Sequence, residues 1–92
     1  MRRAAKVDTT HRLIVAALRE AGASVADIHT VPGLPDLIVG YAGHDVQAEI
    51  KGPKTLIQAH QRDYADEWQG RRPVVLRSVD DAMALLAGMR KW

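Results

Sequence analysis

Residues 36–51 read DLIVGYAGHDVQAEIK. Asp36-Leu37-Ile38-Val39 is short and apolar after its first residue, as a buried strand is. Residues 46–51 alternate apolar and polar, the period of a strand with one covered face. Between them, Tyr41-Ala42-Gly43-His44 has the composition of a tight turn. With Ala42-Gly43 at the turn centre, Asp36 lies opposite Glu49. A side-chain period of two sets Glu49 and Lys51 on one face and Ala48 and Ile50 on the other. Directly opposed residues share a face. Asp36, Glu49 and Lys51 are therefore predicted to project from one side of the hairpin.

Upstream, Pro32, Gly33 and Pro35 force a turn, and residues 23–31 lean towards a strand. A first helix is predicted over residues 9–21. Asp8 or Thr9 can cap it, Leu13, Ile14, Ala17, Leu18 and Ala21 fall on one face, and Gly22 ends it. Residues 1–7, with Arg2, Arg3 and Lys6, read as a frayed basic arm. Downstream, Gly52 and Pro53 break the second hairpin strand. A helix over residues 55–69 follows, with Leu56, Ala59, Tyr64 and Trp68 among its apolar positions, and Gly70 stops it. Tyr64 and Trp68 read as core anchors. Residues 73–77 form a strand. Ser78 with Asp81 resembles a capping box ahead of a last helix, Val79–Met89, that packs through Ala82, Leu85 and Leu86. The order is α-β-β-β-α-β-α. A helix joins the third and fourth strands, so they are expected to run parallel through a right-handed crossover. The result is an α/β fold: a four-stranded mixed sheet flanked by helices.

The whole chain bounds this picture. Its 92 residues and net charge of +2 suit one domain, residues 1–92. Hydrophobic residues at 47% and charged residues at 26% exclude an extended disordered chain. The absence of cysteine excludes a disulfide scaffold and Cys-based zinc sites. No apolar run approaches the roughly 20 residues that span a bilayer, and the N-terminus lacks the apolar core of a secretory signal. A cytoplasmic protein is expected, with no membrane partner. The sequence pI near 9.3 leans weakly towards an anionic partner.

Two carboxylates and a lysine on one hairpin face are costly in so small a chain, because opposed like charges destabilise a sheet. A divalent cation between Asp36 and Glu49 removes that repulsion. Oxygen ligands of this kind suit Mg²⁺ or Mn²⁺. Such an ion lowers the pKa of bound water and stabilises charge on a phosphoryl oxygen. Lys51 beside it would orient the nucleophile or offset negative charge. On spacing alone, a solvent-facing hairpin with a plain Glu–Lys pair stands as the alternative. Lys54, just after the strand, and Arg62, on the next helix, would flank the site and contact phosphates. As single residues, each also reads as ordinary solvated surface.

The pattern Gly33-Leu34-Pro35-Asp36, twelve intervening residues, then Glu49-Ile50-Lys51 resembles the PD-(D/E)xK nuclease motif. The string GLPDLIVG, then AEIKGP, a helix with Gln61 and Trp68, and finally PVVLRSVDDAMALL most resembles the virus-type replication-repair nuclease (VRR-NUC) domain. Small stand-alone versions of that domain occur in phages and bacteria. The resemblance covers residues 9–86. It implies a restriction-endonuclease-like core and a Mg²⁺- or Mn²⁺-dependent endonuclease that hydrolyses phosphodiester bonds of DNA, branched or junction DNA among the candidates. It implies Asp36 and Glu49 as metal ligands, the Ile50 backbone carbonyl as a third, and Lys51 as the catalytic lysine. Gln61 would face the site and help hold Lys51 or a phosphate. Members this small are expected to act as homodimers, placing two active sites on two DNA strands.

One departure matters. Many members carry a Glu or Gln near the start of the first helix, where this chain has Thr10 and His11; Glu20 lies near the helix end. A second metal site is thereby put in question. His11 is open to roles as a substitute ligand, a phosphate contact or a surface histidine. His29, His44 and His60 have no metal-ligand spacing and read as structural or exposed. Two other readings follow. One is a catalytically weak or inactive nuclease-fold module that binds DNA; the other is an interaction domain in which the motif is accidental.

Overall fold

The computed structural model describes the backbone of residues 2–92 and the side chains from residue 9 onward. The elements are α1 (Arg2–Glu20), β1 (Ser24–Asp27), β2 (Leu37–Tyr41), β3 (His44–Ile50), α2 (Ala59–Glu67), β4 (Val74–Leu76) and α3 (Val79–Met89). The fold is α/β, in the order read from the sequence.

Ala42 and Gly43 both take positive φ, 52° and 81°. This is the primed turn whose twist matches that of the flanking strands. It closes β2 onto β3 with Leu37 opposite Ala48 and Val39 opposite Val46, the register expected from the turn centre. β1 adds antiparallel to β2, and β4 adds parallel to β3. The mixed sheet has the spatial order β1-β2-β3-β4.

The two faces differ. Leu37, Val39, Val46, Ala48 and Ile50 are buried on one face under Ile14 and Leu18 of α1 and Ala82, Leu86 and Met89 of α3. Burying one such large side chain stabilises by about 1.5–3 kcal/mol, so this layer carries the fold. Ile38, Gln47 and Glu49 occupy the other face. There α2 is tied on by polar contacts, Tyr64 Oη donating to Gln47 Oε1 and Gln61 to Glu49.

Local signals explain the ends. Gly22 has φ +99°. Its N–H donates to the Arg19 carbonyl and that of Ala23 to the Leu18 carbonyl, the paired bonds of a Schellman cap. The Ser78 hydroxyl accepts from the Asp81 N–H at 3.1 Å. The Asp81 carboxylate reaches the Arg77 N–H at 2.8 Å, one residue earlier than a standard capping box.

Several bounds differ from expectation. α1 extends back to Arg2, and the side chains of Arg2, Arg3 and Lys6 lie outside the described residues. β1 ends at Asp27, where the chain turns with the Val31 N–H on the Ile28 carbonyl. α2 starts at Ala59 rather than 55, because Gln58 and Gln61 form a reciprocal cap there. α2 buries no residue completely, and Leu56 is 82% exposed. Trp68 is 45% exposed and stacks on Tyr64 with ring centroids 5.6 Å apart. It is a surface stack rather than a core anchor. No helix among the described residues is long and apolar enough to cross a membrane.

Candidate active site

Asp36 sits one residue before β2. Its carbonyl accepts the Ile28 N–H at 2.8 Å, and its Oδ2 accepts the Ile50 N–H at 2.8 Å. Continuing the β2–β3 register past Leu37 and Ala48 sets Asp36 beside Glu49 and Pro35 beside Ile50. A residue's N–H and C=O point to the same side of an extended strand, so the Ile50 carbonyl also turns towards the 35–36 side. Pro35 has no N–H to offer it. Three oxygen donors, the Asp36 and Glu49 carboxylates and the Ile50 carbonyl, are thus gathered at one end of the hairpin.

Glu49 is half-buried on the α2 side. Gln61 Nε2 donates to Glu49 Oε2 at 2.9 Å, and Gln61 Oε1 accepts the Gln58 N–H at 3.0 Å. The first turn of α2 therefore fixes the Glu49 carboxylate. Burial, followed by the Asp36 charge, pushes the Glu49 pKa up to about 7, and the Lys51 charge partly opposes this.

Lys51 is 8% exposed. Although it directly follows β3 and precedes Gly52 and Pro53, the residue is enclosed. Its N–H donates to the Leu76 carbonyl at 3.1 Å, continuing the β3–β4 ladder past Ile50. Arg77 Nη1 donates to the Gly52 and Thr55 carbonyls, both at 2.7 Å, folding the next segment back beside the lysine. Arg77 carries no local signal for this role, because its partners lie more than twenty positions earlier in the chain.

Asp36, Glu49 and Ile50 line one open pocket, together with His11, Asp27 and His29. Glu49 and Gln61 also line a neighbouring pocket that includes His60 and Arg62. Arg62 reaches this region while its guanidinium donates to the Ile57 carbonyl at 3.4 Å. Lys54 is exposed in the segment after β3 and lines neither pocket.

His29 and His60 are exposed, as expected, but His11 and His29 are joined through Asp27, which the sequence reading did not place with them. His11 Nε2 lies 2.8 Å from Asp27 Oδ2, and His29 Nδ1 lies 2.6 Å from Asp27 Oδ1. The two rings meet edge-on at 4.9 Å. Burial alone would raise the Asp27 pKa, but the hydrogen bonds from His11 and His29 outweigh it and hold the carboxyl at about 2. Asp27-x-His29 was the only local hint; His11 joins through the packing of α1 on β1.

The donor set fits a hard divalent cation. Burial and then the neighbouring Asp36 charge raise the Glu49 pKa, a cost that a cation would relieve, and one oxygen of each carboxylate is fixed by an N–H donor. Comparison with protein-family models, curated proteins and solved structures finds no match for this chain.

Proposed function

We propose that the chain is a Mg²⁺- or Mn²⁺-dependent deoxyribonuclease of the PD-(D/E)xK type, close in kind to the VRR-NUC domain. The observation that carries the proposal is the convergence of Asp36, Glu49, Lys51 and Gln61 at one end of a hairpin, with Gln61 bonded to Glu49. Asp36, Glu49 and the Ile50 carbonyl would hold the ion. Bound there, the ion supplies an acidified water and charge stabilisation for a phosphoryl oxygen. Gln61 keeps Glu49 in place, and Asp36 is held by the Ile50 N–H. Lys51, whose charge acts on Glu49, would offset charge gathering on the phosphate. Arg62 contacts the DNA backbone beside the neighbouring pocket.

Exposed apolar side chains on and beside the α2 side of the sheet, Leu34, Ile38 and Trp68, support a homodimer and hence a two-stranded substrate. Branched or junction DNA is the substrate to test first. The decisive experiment is cleavage of duplex, flap and four-way DNA with Mg²⁺ or Mn²⁺, with and without EDTA. Metal-dependent cleavage is expected.

A second reading rests on His11, whose Nε2 is bonded to Asp27 in the region where related domains carry an acid. It makes the chain a weakly active or inactive DNA-binding module. Salt-sensitive DNA binding without cleavage distinguishes it.

A further inference from the structure

Three side chains from three segments meet on the pocket that also holds Asp36 and Glu49. His11 comes from the middle of α1, Asp27 from the end of β1, and His29 from the turn that follows. One ligand atom from each lies within 4.8 Å of the others. We propose that His11, Asp27 and His29 form a second cation site, selective for a divalent transition metal such as Zn²⁺ or Co²⁺.

The geometry asks for little movement. A tetrahedral ion bonded at about 2.0–2.2 Å to nitrogen and oxygen needs donor atoms about 3.3–3.6 Å apart. The ring nitrogens now lie 2.8 and 2.6 Å from the Asp27 oxygens. Each ring nitrogen meets a different oxygen of the one carboxylate, and replacing the bridging protons by an ion opens each of these contacts by less than about 1 Å. The frame is held independently of any ion. Asp27 pairs with Leu37 in the sheet, the His29 N–H donates to Asp27 Oδ1, and Arg19 of α1 donates to the Val25 carbonyl at 3.0 Å. α1 is thereby anchored to β1 beside the cluster.

The donor types separate this site from the carboxylate pair. Two imidazoles and one carboxylate suit zinc, cobalt, nickel or ferrous iron, whereas the all-oxygen set of Asp36, Glu49 and Ile50 suits magnesium or manganese. Three protein ligands leave a coordination position open. The three residues line an open pocket together with Arg12, Asp36 and Glu49, so a water or an anionic oxygen is the natural fourth ligand. The proposal does not depend on the nuclease reading, because its test reads metal and not cleavage.

The test is titration of the full chain with Co²⁺, followed by its visible ligand-field absorption, and with Zn²⁺ by calorimetry. Wild type is compared with His29→Ala, His11→Ala and Glu49→Gln, with circular dichroism confirming that each is folded. His29 is largely exposed, so its truncation leaves the core intact. A saturable cobalt site with nitrogen-ligand bands is expected, distinct from any cobalt held by oxygen ligands at the carboxylate pair. Affinity should fall at least about tenfold in both histidine variants, a loss that even outer partners of a ligand produce, and remain within about twofold in Glu49→Gln. Absence of saturable binding overturns the site. So does nitrogen-ligand cobalt absorption that survives His29→Ala, or that depends on Glu49 as strongly as on His29.

Discussion

Gln61 spans two structures at once: its Nε2 donates to Glu49 Oε2 at 2.9 Å while its Oε1 accepts the Gln58 N–H at 3.0 Å. The N-terminus of α2 and the carboxylate of the candidate site are thus held by one side chain. Gln61→Ala removes both bonds. A lost cap costs about 0.5–2 kcal/mol, so the melting temperature should fall by several degrees and cleavage should drop. Gln61→Glu keeps the cap acceptor but sets a third carboxylate against Glu49. It should restore part of the stability without restoring activity. Thermal melts and cleavage rates on both variants check the pairing.

Glu49 sets a pH dependence. Its folded-state pKa of about 7 lies above the ordinary 4.5, so the folded state binds the proton more tightly than the unfolded chain. Stability linked to this group is therefore full below about pH 4.5 and is lost as pH rises towards 7. Melting without metal should decline across that window, and Glu49→Gln should flatten the decline. Mg²⁺ should raise the melting temperature most near neutral pH and release a proton on binding. Asp27 acts in the opposite sense: its pKa is lowered from 3.8 to about 2, so its contribution is lost as pH falls through that lower range.

Lys51→Ala is expected to destabilise as well as inactivate. The residue is buried, and truncating a long enclosed side chain to alanine costs about 2–5 kcal/mol where the surroundings do not collapse. Lys51→Met keeps most of the volume and removes the charge. It should stay folded and lose cleavage. A Lys51→Ala protein with wild-type stability would show that the stem adds nothing to packing.

The hairpin turn offers an independent check on the fold. Ala42 holds φ at 52°, a conformation that costs an L-residue with a Cβ about 1–2 kcal/mol and that asparagine tolerates better. Ala42→Asn should raise stability by about 0.5–1 kcal/mol, read from chemical denaturation. Unchanged or lower stability would argue against the primed turn.

Elements whose signals are local were legible in the sequence. The Ala42-Gly43 turn set the register of β2 on β3, Gly22 closed α1, and Ser78 opened α3. The juxtaposition of Asp36 with Glu49 followed from that register alone. What was not legible depended on contacts far apart in the chain. α2 is short because Gln58 and Gln61 cap each other, although residues 55–58 read as helical. Trp68 looks like a core residue by type, yet the hydrophobic layer is completed by α1 and α3 on the opposite face. Lys51 is enclosed by the tertiary fold, Arg77 reaches back across more than twenty positions to Gly52 and Thr55, and the His11–Asp27–His29 cluster exists only once α1 is docked on β1.

Asp36 is held by its bond from the Ile50 N–H and lies beside Glu49, so its variants divide structure from chemistry. Asp36→Ala leaves that N–H without its acceptor and should cost about 1–3 kcal/mol. Asp36→Asn retains a carbonyl acceptor and relieves a like-charge pair, an effect on the order of 0.2–1 kcal/mol. Its apo stability should match or slightly exceed wild type while Mn²⁺ affinity falls.

The most direct measurement is cleavage of duplex, flap and four-way DNA by wild type and Asp36→Asn in Mn²⁺, repeated in EDTA. The expected result is cleavage by wild type only with metal, and none by a folded Asp36→Asn protein. Undiminished cleavage in EDTA, equal cleavage by Asp36→Asn, or no cleavage of any of these DNAs by wild type with Mg²⁺ or Mn²⁺ would contradict a metal-dependent nuclease built on Asp36 and Glu49.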